Sequence, residues 1–324
     1  MKIKDIGGEF ALINRVTKKV KNRKVIVGIG DDCAVIEKDA KKYTVITTDM
    51  LVENDHFRLD WATPLQVGKK AMEANVSDVA SMGGMPKYAL VSLSLTPKTS
   101  VEIIDELYKG FYSVAKKYGF DIIGGDMTHG SEMTISITII GEVEKNKLAL
   151  RSNAKPGELI LVTGVLGGST AGLELLLKDK NNLKKRKKLL EYHLNPTCRL
   201  KKARHLVGLG VKCMIDVSDG LASEVKHICE MSKTGAVIFK DCIPLDKSTR
   251  KAAEIVSKDP YDFALSGGED FELVFTLSKK NYEKNKSKLR DCFVVGKILD
   301  KKKGIYLFDG VKKELAGGYD HFKS

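Results

Sequence analysis

Acidic residues recur in this chain where short apolar runs meet glycine. Asp31 and Asp32 follow Gly30, Asp49 follows the β-branched run Tyr43–Thr48, and Asp126 follows Gly124-Gly125. Asp216 follows the run Val211–Ile215, and Glu269-Asp270 follows Gly267-Gly268. A carboxylate in such a place is partly withdrawn from water, and several that converge raise one another's pKa unless a cation lies between them. Each junction has a plainer reading by itself. Asp126 fits a turn. Asp216 and Asp219, spaced i, i+3 ahead of an apolar helix, fit a cap. Asn75 and Asp78 fit a solvated pair on one helical face. Five such sites in one context point instead to a shared metal cluster. An all-oxygen ligand set with no His or Cys at matching spacing suits Mg²⁺, which keeps phosphate and water in its shell.

Apolar spacing predicts helices over 8–21, 64–82, 101–118, 168–177, 199–209 and 218–232. It predicts strands at 25–29, 43–48, 88–95, 120–123, 133–143, 159–163, 211–215, 272–276, 293–298 and 305–308. The two types intermix without a strict β-α-β period. The expectation is therefore an α+β architecture in two halves rather than a doubly wound sheet. At roughly 100–200 residues per domain, a chain of 324 residues makes two domains. The aperiodic stretch 146–157, with its Lys155-Pro156-Gly157 turn, divides it into 1–148 and 149–324.

The formal net charge of +13 would suit nucleic acid, an anionic membrane or a phosphorylated small molecule. Only 9 of the 55 basic residues are Arg, the better residue for bidentate reading of bases and phosphates. A Lys-rich solvated exterior is thus expected, with no nucleic-acid partner. Neither a signal peptide nor an apolar run near 18 residues is found, so no membrane association is expected. Six scattered Cys without a C-x-x-C pair read as reduced cytoplasmic thiols. The chain lacks a G-x-x-x-x-G-K-[ST] loop, the protein-kinase motifs, a G-x-S-x-G elbow and H-E-x-x-H. Gly164–Ser169 places glycines and a hydroxyl at a helix start, a weak anion-binding signal. His56 lies in the dense polar block Glu53-Asn54-Asp55-His56.

Taken in order, the motif blocks resemble the thiamine-monophosphate kinases. They run from Gly8-Glu9-Phe10 through Gly30-Asp31-Asp32-Cys33-Ala34, the block from Thr47-Thr48-Asp49 to His56-Phe57, and Asn75-Val76-Ser77-Asp78 to Gly83-Gly84. They continue with Gly124-Gly125-Asp126, Leu166-Gly167-Gly168-Ser169 and Asp216-Val217-Ser218-Asp219-Gly220-Leu221. The last two are Gly267-Gly268-Glu269-Asp270-Phe271-Glu272-Leu273 and Gly318-Tyr319-Asp320-His321-Phe322. Any one block is weak, whereas nine in order are specific.

The resemblance implies an aminoimidazole-ribonucleotide-synthetase-like architecture. Its N-terminal domain, here 1–148, would bind ATP and Mg²⁺ and pair sheets in a homodimer, and 149–324 would form a C-terminal α+β domain. It implies cytoplasmic, Mg²⁺-dependent transfer of the ATP γ-phosphoryl group to thiamine monophosphate, giving thiamine diphosphate and ADP. The implied metal ligands are Asp32, Thr47, Thr48, Asp49, Asp78, Asp126, Asp216 and Asp219. The implied ATP contacts are Tyr108, Gly125, Asp126, Arg151 and Ser218; His56, Glu269 and Tyr319 would hold the acceptor. No side chain is assigned as a catalytic acid, base or nucleophile. This chain departs from the family pattern at Met127-Thr128-His129, at Cys198 where a second Pro is expected, and at Tyr319 where Trp is common. The alternative is a sister ATP-dependent enzyme of the same superfamily with a different acceptor.

Overall fold

The structure, a computed structural model, describes residues 3–6, 8–178 and 187–319. Asp320, His321 and Phe322 of the last block lie outside the described residues. The first half carries α1 (Glu9–Val16), α2 (Pro64–Ser81) and α3 (Val101–Tyr118). Its strands are β1 (Val25–Val27), β2 (Ala34–Glu37), β3 (Lys42–Val52), β4 (Met85–Leu95), β5 (Asp121–His129) and β6 (Thr134–Glu144). They form one sheet in the order β1-β2-β3-β6-β4-β5, parallel between β4 and β5 and antiparallel elsewhere.

The second half carries a separate sheet. Its strands are β7 (Leu159–Val162), β8 (Cys213–Asp216), β9 (Thr234–Phe239), β10 (Leu273–Leu277), β11 (Phe293–Asp300), β12 (Ile305–Asp309) and β13 (Val311–Glu314). Their order is β13-β12-β9-β11-β7-β10-β8, with β12 parallel to β9. The helices here are α4 (Gly168–Lys178), α5 (Lys187–Leu194), α6 (Leu200–Gly208), α7 (Leu221–Ser232), α8 (Lys247–Val256), α9 (Pro260–Ser266) and α10 (Lys279–Asn285). The mixed sheets and intermixed helices are the α+β architecture expected.

Alternation fixes which face of the first sheet is covered. β4 buries Ala89, Val91 and Leu93, and β6 buries Ile135, Ile137 and Ile139, in one core with α2 and α3. The opposite face is bare among the described residues. It exposes Met50, Tyr88 and Leu90 by 56, 47 and 36%.

The helix that positions the site is α2. It starts with a capping box: Gln66 N–H donates to Thr63 Oγ1, the Gln66 side chain accepts from Thr63 N–H at 2.9 Å, and Pro64 takes the first turn. The spacing of Leu65, Met72, Val76 and Val79 implied one apolar stripe. In the structure α2 is buried on nearly every side from Val67 onward, because α6 and β8 of the second half pack against it as well. Its buried polar groups therefore need partners within the protein. Glu73 accepts from Tyr118 Oη at 2.8 Å, Lys117 Nζ at 2.7 Å and the Cys198 N–H at 2.9 Å. That last bond gives the Cys198 departure a physical meaning, since a proline there has no N–H to donate.

Two strands run past their predicted ends. β3 continues through Asp49 to Val52, and β5 continues through Gly124-Gly125-Asp126 to His129. Asp49 and Asp126 are therefore mid-strand residues, paired with Ile137 and Ser92. Helix α1 stops at Val16, short of the predicted Lys21, because Thr17 is already extended.

Candidate active site

Three acids that lie far apart in sequence meet between the two sheets. Asp32 comes from the loop before β2, Asp78 from α2, and Asp216 from the end of β8. One carboxylate oxygen of each lies within 4.8 Å of those of the other two. Each is held by a hydroxyl. Thr47 Oγ1 donates to Asp78 at 2.5 Å, Ser77 Oγ to Asp216 at 2.5 Å, and Ser81 Oγ to Asp32 at 2.5 Å. Ser77 and Ser81 are one helical turn apart on α2, so a single helix face orients two acids from other elements. Asp49 lies beside the group, its backbone N–H bonded to Asn75 Oδ1 at 3.2 Å.

The electrostatics record the crowding. Burial, then Asp49, Asp216 and Asp32, push the Asp78 carboxyl well above the usual range. Burial and then Asp32 do the same to Asp216, against the Ser77 hydrogen bond. Asp49 is raised to about 6 by burial and by Asp219 and Asp32. Asp31 is raised to about 7 by burial and Asp32. Mutually repelling buried carboxylates, all oxygen donors and within bridging reach, are the donor set that a hard divalent cation satisfies. The residues present thus fit Mg²⁺.

Arg151 is the cation at this site. Its Nη2 donates to Asp32, its backbone N–H donates to Asp31 at 3.1 Å, and its Nε lies 3.7 Å from Asp31. Nε is buried and has no hydrogen-bond partner among the described residues. Burial alone would lower the Arg151 pKa, but Asp32 outweighs it and the net shift is upward. Below Arg151, the buried Glu224 accepts from the Asp219 N–H at 2.9 Å.

The loop carrying Glu269 is pinned from both sides. Glu269 N–H donates to Ser218 O at 2.9 Å and Phe271 N–H to Val217 O at 3.0 Å. A Cβ at Gly268 would come within 2.0 Å of Ser218 O, so only glycine allows this approach. Glu269 and Phe271 adopt φ of 63° and 47°, left-handed conformations that L residues rarely take. Between them Asp270 turns inward and accepts from Gly167 N–H at 2.6 Å and Ser169 N–H at 3.0 Å. The anion at the Gly164–Ser169 helix start is thus the protein's own carboxylate.

Near that loop, Lys70 Nζ joins Glu269 to His56. It lies 2.7 Å from the Glu269 carboxylate and donates to His56 O at 3.0 Å. The Val52 N–H donates to His56 Nδ1 at 3.2 Å, which puts the proton of the neutral ring on Nε2. The Tyr319 N–H donates to Asp219 O at 3.0 Å. Burial, then Asp55, Glu269 and Asp219, raise the pKa of its phenol.

The remaining positions lie elsewhere. Thr48 presents its hydroxyl to the bare face of the first sheet, 3.0 Å from Thr138 Oγ1, with Asp49 on the opposite face. The register through β6 and β4 puts the exposed Asp126 on that bare face too, three strands or about 14 Å from β3. Gly125 adjoins it. Tyr108 lies one helix removed, on α3, in an open groove shared with Asp105, Lys109, Tyr112, Ser113 and Lys116. Sequence reading missed Lys70, Ser77, Ser81 and Glu224. All four are ordinary polar residues on amphipathic helices, and the only local signal is the i, i+4 pair of serines bracketing Asp78.

Family models for AIR synthase related protein match both halves, the N-terminal domain over residues 30–143 and the C-terminal domain over 155–308. A thiamine-monophosphate kinase of Bacillus subtilis is 34% identical over 97% of this chain and 99% of its own length. That of Aquifex aeolicus is 34% identical over 99% of this chain and 100% of its own. The solved structure of AaThiL complexed with AMPPCP and TMP superposes with a TM-score of 0.88, at 34% identity over 99% of both chains. Hydrogenase maturation protein HypE in complex with ATP, at 19% identity and a TM-score of 0.68 over 87% of both chains, shares the fold alone. Two AIR-synthase-type domains and full-length kinship at this level lead to one conclusion: the chain belongs to the thiamine-monophosphate kinase family.

Proposed function

We propose that this chain transfers the γ-phosphoryl group of ATP to thiamine monophosphate in a single in-line step, giving thiamine diphosphate and ADP. The observation that carries this reading is the convergence of Asp32, Asp78 and Asp216 beside Arg151, in a chain related over its full length to thiamine-monophosphate kinases. The acceptor is a phosphate monoester with a second pKa of about 6, so near neutral pH its oxygen is already anionic. No strong general base is then required, and the work left to the protein is positioning and charge compensation. Mg²⁺ would be held by Asp32, Asp49, Asp78 and Asp216, with Thr47 and Asp219 as further ligands, and would supply neutralisation between the two phosphates. Thr48 and Asp126, whose side chains face the other side of the first sheet, would join only through the Thr48 backbone carbonyl and from a paired copy.

Arg151 stays protonated at any working pH and is the residue to bind ATP phosphate. Ser218 completes the ATP contacts within one chain, and Tyr108 and Gly125, which lie away from the acid cluster, would reach ATP only from a paired copy. His56 offers Nε2–H to the acceptor, Glu269 offers a carboxylate oxygen, and the Tyr319 ring suits the thiazolium cation by cation–π contact. The bare sheet face with Met50, Tyr88 and Leu90 is the surface by which two copies pair, and Gly125 and Asp126 lie on the sheet that this pairing covers. All six cysteines are free thiols and five are buried, in keeping with a cytoplasmic enzyme. The boundary between the working domains falls at 148–149, between the two sheets.

The test is phosphoryl transfer from labelled ATP to thiamine, thiamine monophosphate or an aminoimidazole precursor, with and without Mg²⁺. Labelled thiamine diphosphate should form only from the monophosphate and only with the metal. Turnover of a different acceptor in preference would replace the reading with a sister enzyme. A labelled protein formed without acceptor would replace the single step with a phosphoenzyme.

A further inference from the structure

Lys70 is 4% exposed, and its ammonium is hydrogen-bonded to groups of the candidate acceptor site. Its three protons are matched by three acceptors: both oxygens of Glu269, each at 2.7 Å, and the carbonyl of His56 at 3.0 Å. A lysine this deep is retained only when fully paired. Its partners come from two distant segments, the polar block after β3 and the glycine loop before β10, so it ties both to α2. The cleft around it is lined by His56, Trp61, Gln66, Lys70 and His193.

Lys70 also has a fixed relation to the acids. Lys70, Ser77 and Ser81 fall at i, i+7 and i+11 on α2, one stripe of the helix. Ser77 holds Asp216 and Ser81 holds Asp32. Seven residues of helix rise about 10 Å. One rigid element therefore sets the spacing between the Glu269 end of the site and the carboxylate end. The groups facing Glu269 are Lys70 from α2, His193 from α5 at 3.4 Å, His56 from the polar block and Tyr319 from the tail. His193 is buried and turns Nδ1 toward Ser169 Oγ as well, at 3.1 Å, so Lys70 is the main counter-charge of Glu269.

We infer that Lys70 is a positioning residue for the acceptor: it clamps and neutralises Glu269, which then offers a hydrogen-bond acceptor oxygen of fixed direction rather than a net negative charge. This rests on the proposed role of Glu269 toward thiamine monophosphate. The recognised part of the acceptor is accordingly a neutral N–H donor on its heteroaromatic end, and the cationic ring is left to Tyr319.

The experiment is a double-mutant cycle with Lys70→Met, Glu269→Gln and the double variant, reading KM for each substrate and kcat. Lys70→Met should raise the acceptor KM about tenfold, the size of one lost charge-assisted hydrogen bond, and leave the ATP KM within about twofold. In the Glu269→Gln background the same change should alter the acceptor KM by less than about twofold, because there is no carboxylate left to clamp. The double variant carries no unpaired buried charge and so keeps the cycle readable if the single Lys70→Met protein unfolds; an acceptor KM in the double variant well above that of Glu269→Gln alone overturns the inference. Equal losses in both backgrounds, or a parallel rise in the ATP KM, overturn it too, by making Lys70 a general structural residue. If Glu269→Gln itself leaves the acceptor KM unchanged while the wild type turns over, the role of Glu269 fails and the inference falls with it. A wild type without acceptor turnover condemns the proposed reaction instead.

Discussion

Asp78 sits in α2 with Thr47 Oγ1 donating to it and with Asp49, Asp216 and Asp32 facing it, so its charge is unwelcome in the metal-free protein. Replacing it by Asn keeps the shape and an acceptor oxygen but removes the repulsion. The expected outcome has opposite signs in two assays. Asp78→Asn should raise the melting temperature of the chelated protein above pH 7 and lower kcat at least about 100-fold, the order that a few kcal/mol of lost charge compensation produces. Thermal melts in EDTA and a kinase assay check the pair; a variant that is both less stable and fully active would remove the metal role. Asp32, Asp78 and Asp216 were legible in the sequence because carboxylates rarely sit among apolar residues without a reason. Lys70, Ser77 and Ser81 were not, since each is common on a solvated helix and gains its role only from the second half of the chain packing over α2.

Three elements bring their acids together at a cost that depends on pH. In the folded state Asp31 and Asp270 lie at about 7 and Asp49 at about 6, with Asp78, Asp216 and Glu224 higher than usual for carboxyls. All are raised relative to unfolded values near 4. The folded protein therefore holds protons that the unfolded chain has released, and the stability this gives is lost as pH rises through the folded values. His193 and His227, lowered by burial to about 4, act in the opposite sense, but only below their unfolded value of about 6.5. Between pH 6.5 and 8 the carboxylates act alone. Metal-free protein should lose melting temperature across that interval, and added Mg²⁺ should restore more at pH 8 than at pH 6.5. A melting temperature that is flat or rising without metal would discard the crowded-carboxylate account. At this scale the sequence misplaced Asp126. Glycine pairs read as a strand end, whereas β5 is an edge strand whose pairing with β4 carries it through Gly124-Gly125 to His129. Edge pairing is a property of a distant partner and leaves no mark in the local pattern.

The two halves share one core through α2, yet the first sheet remains half-covered. Leu200, Ala203, Leu206, Met214 and Phe275 of the second half join the cluster built by β4, β6, α2 and α3. On the far side of the sheet, Met50, Tyr88 and Leu90 stay in solvent, beside the hydroxyl rows Thr48–Thr138 and Ser92–Ser136 that the strand register aligns. An apolar sheet face with one side unpacked is what an antiparallel architecture leaves for a partner. The proposed occupant is the same face of a second copy, an isologous contact in which one patch meets itself. A charge at Leu90 would then be buried twice over in that contact, once from each copy, so Leu90→Glu should split the dimer, where a single surface substitution on a monomer would change little. Sedimentation velocity at micromolar concentration reads this directly: wild type near twice the chain mass of 35.7 kDa, Leu90→Glu near once. The ATP KM should rise in the same variant, because Gly125 and Asp126 lie on the sheet that pairing covers, while the spacing among Asp32, Asp78 and Asp216 is set within one chain. A wild type that sediments as a monomer and still turns over would assign the whole site to a single copy and leave the bare face without a role in catalysis.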